Sequence, residues 1–226
     1  MVRAQIARER RRRRTLWTSV VAVAVLVIAG LIGWGVYASQ RSGDFTAPRN
    51  TTSDGNGVVV GTGPVTMDVY EDFICPVCNQ FEQQSGATVD QLVAQGKVRV
   101  IFHPVAYLDR ASTTRYSSRS SAASGCAADA GKYREYAKAL FQHQPPEGSA
   151  GLPDDQLISI GAGVGLDQNS FGSCVRNGTF KSWTQHVTDE ASKANITGTP
   201  TVLVAGKQVP SPTPDALTAA VAAAPK

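Results

Sequence analysis

The sequence predicts an α/β domain behind an apolar N-terminal segment, on three observations. A strand-like run, Val65 to Tyr70, feeds directly into Cys75-Pro76-Val77-Cys78, and a helical pattern and a second strand-like run follow. A long block with apolar residues at three-and-four spacing comes next. The chain then returns to strand character at Thr201 to Val204 and closes with a turn and a helix.

The N-terminal segment accounts for the basic charge. The chain has 22 Lys+Arg against 18 Asp+Glu, and seven of the arginines, with the single acid Glu9, lie in the first fourteen residues. The remainder holds 15 basic and 17 acidic residues, so charge gives no reason to expect nucleic-acid binding. Leu16 to Tyr37 is 22 residues without a charge. At about 1.5 Å per residue, such a helix crosses a hydrocarbon core of roughly 30 Å. The arginines in front of it place residues 1–15 in the cytoplasm as a basic tail, by the positive-inside rule. The expectation is a single-pass anchor in the cell membrane over residues 16–37, with everything beyond it extracytoplasmic. A cleaved signal peptide is the alternative, but its apolar region spans only about 7–15 residues, and Ala38-Ser39-Gln40 is a weak cleavage site.

Residues 38–57 are rich in Ser, Thr, Asn and Gly without apolar periodicity and are expected to form a flexible linker. The folded domain is expected over 58–226, with a helical insertion at about 111–194. Within it, Phe81, Val89, Leu92 and Val93 suit a helix after the cysteines, kinked near Gly86, and Lys97 to Phe102 suits the next strand. Tyr133, Tyr136, Ala137, Leu140 and Phe141 mark one helix, which Cys126 is expected to begin; a short helix lies around Leu157 to Ile160. Phe180, Trp183, Val187 and Ala191 mark another, with Cys174 shortly before it. Thr213 as N-cap with Pro214 behind it announces the last helix.

All four cysteines lie beyond the anchor, where disulfides persist, and their spacing permits three connectivities. A Cys-x-x-Cys pair at a helix start suits thiol-disulfide exchange. Cys75 would face the unpaired N–H groups of the first turn, which favour its thiolate, and Cys78, one turn in, would resolve the mixed disulfide. Half of a zinc site is the competing reading, and neither a second Cys-x-x-Cys nor a His pair completes four ligands. No metal and no cofactor beyond the redox-active disulfide itself is expected. Glu71 and Asp72, just before the motif, are candidates for a proton shuttle to Cys78, and Asp72 has an N-cap position open to it. The three histidines read as surface or packing residues.

Asp72-Phe73-Ile74-Cys75-Pro76-Val77-Cys78, a helical insertion, and Gly198-Thr199-Pro200-Thr201 ahead of a strand together resemble the DsbA-like branch of the thioredoxin superfamily. The resemblance covers roughly Gly57 to Lys226. It implies a thioredoxin fold with a helical insertion and a cis Pro200 facing the cysteine pair. Thr199 and Pro200, with Pro76 and Val77, would contact substrate. It leaves Cys126 and Cys174 as a structural disulfide, or alternatively a second redox pair. It also implies partners: reduced or misoxidised exported proteins, and a membrane redox partner of the DsbB or vitamin K epoxide reductase type that reoxidises a monomeric domain. Strongly oxidising members carry His at the position of Val77, so a lower potential than theirs is expected here. Three functions follow: an oxidase that introduces disulfides into exported proteins, a reductase or isomerase, and a tethered binding or chaperone domain.

Overall fold

The computed structural model describes residues 26–30, 33 and 45–225. Residues 26–30 and 33 are helical, and no helix among the described residues is long and apolar enough to cross a membrane. The basic tail, most of the anchor at 16–37 and the start of the linker lie outside the described residues.

The folded unit is built on a five-stranded sheet. Its strands are β1 (Val58–Val60), β2 (Val65–Glu71), β3 (Val98–Pro104), β4 (Thr201–Val204) and β5 (Lys207–Gln208), in spatial order β1-β3-β2-β4-β5. Only β2 and β3 run parallel, and α1 (Pro76–Ala94) makes the crossover between them. Along β2 every second residue, Val65, Met67, Val69 and Glu71, is buried, so the alternation of the strand carries a carboxylate into the core at its last position. In register, Glu71 pairs with Pro104 and Tyr70 with Thr201. The segment entering β4 therefore arrives beside the end of β2, where the cysteine motif begins.

Helices cover both faces. α1 packs on α7 (Pro214–Ala223), which Thr213 caps by accepting from the Ala216 N–H. α1 is unbroken from Pro76 to Ala94. Gly86 leaves room for the Glu82 carboxylate, which a Cβ there would meet at 2.3 Å, and no kink is needed to explain it. Arg134 grips that carboxylate at 2.8 and 2.9 Å and also reaches Asp90 at 2.7 Å, tying α1 to the insertion.

The insertion between β3 and β4 contains α2 (Tyr116–Asp129), α3 (Tyr133–Gln142), α4 (Asp154–Gly163), α5 (Gln168–Asn177) and α6 (Lys181–Lys193). α2 has no counterpart in the sequence reading. Its sequence, YSSRSSAASGCAAD, shows no apolar stripe because 11 of its 14 residues are buried all round the helix. Small side chains let neighbours close in: a Cβ at Gly125 would lie 2.9 Å from Phe180 and 3.0 Å from Trp183. Two of the buried serine hydroxyls are satisfied within the helix, Ser120 donating to the Tyr116 carbonyl and Ser124 to that of Ser121, and two reach outside it, Ser117 to Asp72 and Ser121 to the Pro104 carbonyl. Cys126 thus sits in the last turn of α2, not at the start of the helix that follows.

Cys126 is bonded to Cys174 of α5, with 48 residues of separation. In the chain-entropy account a loop of this length is stabilised by about 4 kcal/mol, which native strain reduces. Replacing both cysteines by serine is expected to lower the unfolding free energy by about 2–4 kcal/mol, measured by urea denaturation. An unchanged midpoint would show that the crosslink does not contribute to stability.

The linker expected to run to residue 57 is instead docked from Phe45 onward. Phe45 stacks on His186 at 3.9 Å, and Thr51 bridges to Val58. Three successive carbonyls are each taken by a side chain from the domain. His186 Nε2 lies 3.0 Å from Asp54 O, Trp183 Nε1 donates to Gly55 O at 2.7 Å, and His103 Nδ1 lies 2.7 Å from Asn56 O. Gly and Asn content predicts a turn and a tether equally well; these distant donors make it a turn.

Candidate active site

The parallel ends of β2 and β3 open into the turn from Asp72 to Cys75, closed by Cys75 N–H donating to Asp72 O at 3.0 Å. Cys75 is the N-cap of α1, with φ −72° and ψ 117°, and Pro76 occupies the first helical turn, where its missing N–H costs nothing. Both thiols are free, Cys75 5 % exposed and Cys78 1 % exposed, whereas Val77 is 56 % exposed and Pro76 is exposed beside it. Opposite them, the Thr199–Pro200 peptide is cis and both residues are half-buried. The Cys75 thiol points at the Thr199 carbonyl, 3.5 Å away.

This geometry separates the two thiols. A hydrogen bond from Cys78 pulls the Cys75 thiol down to about 6, against the opposing effect of burial. Thr199 and the backbone N–H groups of Cys78 and Val77 add to the effect, although neither N–H closes a full capping hydrogen bond. Burial, together with the hydrogen bond to Cys75, pushes Cys78 well above the usual thiol range. The first sulfur is thus favoured as thiolate and the second as thiol, beneath the exposed Pro76 and Val77.

The two acids part company. Burial pushes the Glu71 carboxyl up to about 7, with the Arg134 charge opposing, and Glu71 accepts from the Tyr133 hydroxyl at 2.8 Å. Asp72 is fully buried and, contrary to the capping expectation, does not cap α1. It accepts from Ile74 N–H at 3.1 Å, the Ser117 hydroxyl at 2.7 Å and Leu108 N–H at 3.0 Å. Burial raises it to about 6, and the Cys75 charge adds to the rise. Of the two acids, Asp72 is therefore the one whose charge is coupled to Cys75.

Gln144, in the loop after α3, escaped the sequence reading. Its amide donates to Phe73 O at 3.1 Å and Cys75 O at 2.9 Å and accepts from Asn79 at 3.1 Å. No local pattern marks a glutamine 69 residues from the cysteine it reaches. Among the described residues, no group of three His, Cys, Asp or Glu comes together to hold a metal ion, and Cys126 and Cys174, bonded to each other, are not joined to the Cys75 pair.

The sequence profile of the family described as Thioredoxin matches residues 53–223. The chain belongs to the thioredoxin family. Among solved structures, this thioredoxin-family chain is similar to the reduced disulfide bond oxidoreductase DsbG of Mycobacterium tuberculosis, at 34 % identity and a TM-score of 0.63, covering 76 % of this chain and 84 % of that one. Oxidised DsbA of the same organism is also 34 % identical, with a TM-score of 0.64 over 78 % and 91 % of the two chains. MdbA of Actinomyces oris, a thiol-disulfide oxidoreductase, shares the fold at 21 % identity and a TM-score of 0.67, over 81 % and 95 %. Among curated proteins, the serine/threonine-protein kinase PknE of M. tuberculosis is 32 % identical over 160 residues, which are 65 % of this chain and 28 % of the kinase. The chain thus spans less than a third of the length of the curated relatives it matches.

Proposed function

We propose that this protein is an extracytoplasmic thiol-disulfide oxidoreductase that introduces disulfides into exported proteins and is held to the cell membrane by residues 16–37. The observation that carries the reading is the divided thiol pair: Cys75, at a helix N-terminus and favoured as thiolate by the hydrogen bond from Cys78, and the buried Cys78, favoured as thiol. The likeness to DsbA and DsbG supports it.

In the oxidised state a substrate thiolate attacks Cys75 Sγ, the Cys75–Cys78 bond breaks, and Cys78 leaves and takes up a proton. A second substrate thiolate then attacks the substrate sulfur of the mixed disulfide and Cys75 leaves as thiolate. Two electrons pass from the substrate dithiol to the enzyme, and a good leaving group at Cys75 speeds the second step. Asp72 serves as the shuttle for the Cys78 proton. The exposed Val77 and Pro76, with Thr199 and Pro200, form the substrate contact. A quinone-linked membrane partner of the DsbB or vitamin K epoxide reductase type restores the disulfide.

The redox equilibrium of Cys75 and Cys78 with glutathione tests the direction. A potential above about −200 mV is expected; one near about −270 mV, where thioredoxin works, would assign a reductase instead. Absence of any insulin-reducing activity would leave a binding domain. Protease accessibility of the domain in intact cells, and its membrane fractionation, test the anchor.

A pH dependence follows. The rate of Cys75 alkylation is expected to rise with a midpoint near 6. Because the folded value lies below the unfolded one, ionisation of Cys75 stabilises the reduced protein fully above about pH 8.5. That contribution shrinks as pH falls and is lost below the folded midpoint near 6. The gap in thermal stability between the reduced and oxidised proteins should follow the same window.

A further inference from the structure

An N-cap residue ordinarily fixes its own conformation by accepting N–H hydrogen bonds with a side-chain oxygen. Cys75 has no such oxygen, and no side-chain hydrogen bond caps α1. Pro76 also removes the N–H that follows Cys75. With no side-chain cap to fix the turn, the torsions on either side of Cys75 decide whether Sγ, which also meets Thr199 and Cys78, reaches the N–H groups of Val77 and Cys78.

Gln144 holds those torsions. One hydrogen of its amide goes to Phe73 O, before the Ile74-Cys75 pair, and the other to Cys75 O, after it, at 3.1 and 2.9 Å. Two donors on one nitrogen fix the separation of the two carbonyls, and so the shape of the turn between them. The amide oxygen is engaged as well, accepting from Asn79, whose own Oδ1 accepts from Gln83 at 3.0 Å. The Asn79 N–H donates to the same Cys75 carbonyl at 3.2 Å. Gln144 itself is seated between α3 and the buried Pro145. A primary amide is the side-chain group that supplies two donors and an acceptor in one plane.

We infer that Gln144 is a positioning residue for the Cys75 nucleophile: its amide, reaching in from the helical insertion, holds the redox turn in the conformation that aims Sγ at the start of α1. The inference rests on the proposed exchange activity of Cys75. It gives the insertion a part in the chemistry, since one of its side chains shapes the reactivity of a thiol in the thioredoxin core.

The test compares wild type, Gln144→Met, Gln144→Glu and Trp183→Phe in the full chain, reading the pH midpoint of Cys75 alkylation, the glutathione equilibrium and thermal stability. Methionine keeps the length and loses every hydrogen bond. Glutamate keeps the acceptor toward Asn79 but turns its second oxygen toward the two carbonyls. Both are expected to move the midpoint upward by roughly one pH unit, cutting alkylation at pH 6 several-fold and shifting the glutathione equilibrium by about tenfold toward the disulfide. Trp183→Phe, which loses the hydrogen bond to Gly55 O, is expected to lower stability and leave the midpoint unchanged. A wild-type midpoint in both Gln144 variants overturns the inference, as does an equal shift in Trp183→Phe. A wild type that itself alkylates like an ordinary thiol and exchanges no disulfides overturns the reading of the site on which the inference rests.

Discussion

Cys75→Ser is expected to abolish disulfide exchange, whereas Cys78→Ser is expected to retain attack and stall as a mixed disulfide with substrate. The asymmetry comes from the environments of the two sulfurs. With its thiol pulled down to about 6, Cys75 is mostly thiolate at pH 7, and it lies beside the exposed Val77. Cys78 is 1 % exposed and held well above the ordinary thiol range, so it supplies almost no thiolate and no access. Losing Cys75 should therefore lower the exchange rate by at least about a hundredfold, because the remaining thiol supplies almost no thiolate. Without Cys78 the first step proceeds and nothing releases the product. Insulin reduction read by turbidity checks the first variant, and non-reducing electrophoresis of the trapped adducts checks the second. Comparable rates for Cys75→Ser and wild type would move the reactive sulfur elsewhere.

The second large effect is expected at Asp72. Its carboxyl is buried and ties the end of β2 to its own turn at Ile74, to the loop at Leu108 and to α2 at Ser117. Alanine would leave the buried Ile74 N–H, the part-buried Leu108 N–H and the Ser117 hydroxyl unpaired, at about 1–3 kcal/mol each when isolated and on the order of 3–5 kcal/mol together. Asparagine keeps one acceptor but sets an NH2 group against a donor, and should cost about 1–3 kcal/mol. The asparagine penalty also depends on pH. Burial raises the Asp72 carboxyl to about 6, above its unfolded value. The folded state thus favours the protonated acid, and the associated stability is present at low pH and lost as pH rises through the folded value. Asp72→Asn should accordingly cost less at pH 8 than at pH 5, as measured by urea denaturation at the two pH values. With the neighbouring carboxylate gone, the Cys75 midpoint should fall, because like charges no longer face each other. A larger penalty at pH 8 would show that the carboxylate is the favoured form.

The parts of the fold legible in the sequence are those where one face of an element is buried and the other is not. The alternation of β2, the apolar spacing in α3 and α6 and the Thr213-Pro214 cap each leave a periodic or positional trace. α2 leaves none, because burial on every side removes the contrast that periodicity detects. The docked segment from Phe45 to Gly57 looks like a linker in sequence for a related reason. Its own residues contribute mainly carbonyls, and the donors that engage them, His103, Trp183 and His186, lie far along the chain.

The same division runs through the site. Cys75-Pro76-Val77-Cys78 between a strand and a helix, and Thr199-Pro200 ahead of a strand, are local patterns, and local chemistry was enough to propose an attacking and a resolving sulfur. Which carboxylate is charge-coupled to Cys75, and which side chain reaches the Cys75 carbonyl, depended on contacts between distant segments. Glu71 and Asp72 are adjacent and both buried, yet one is committed to Tyr133 and the other is charge-coupled to Cys75. The sequence by itself determined the motif, its place at a helix start and the order of elements around it, since these follow from neighbours in the chain. Only the tertiary structure decided the partners of Asp72 and Gln144, because a side chain's hydrogen bonds are set by what the fold brings within about 3 Å, and sequence spacing does not encode that distance.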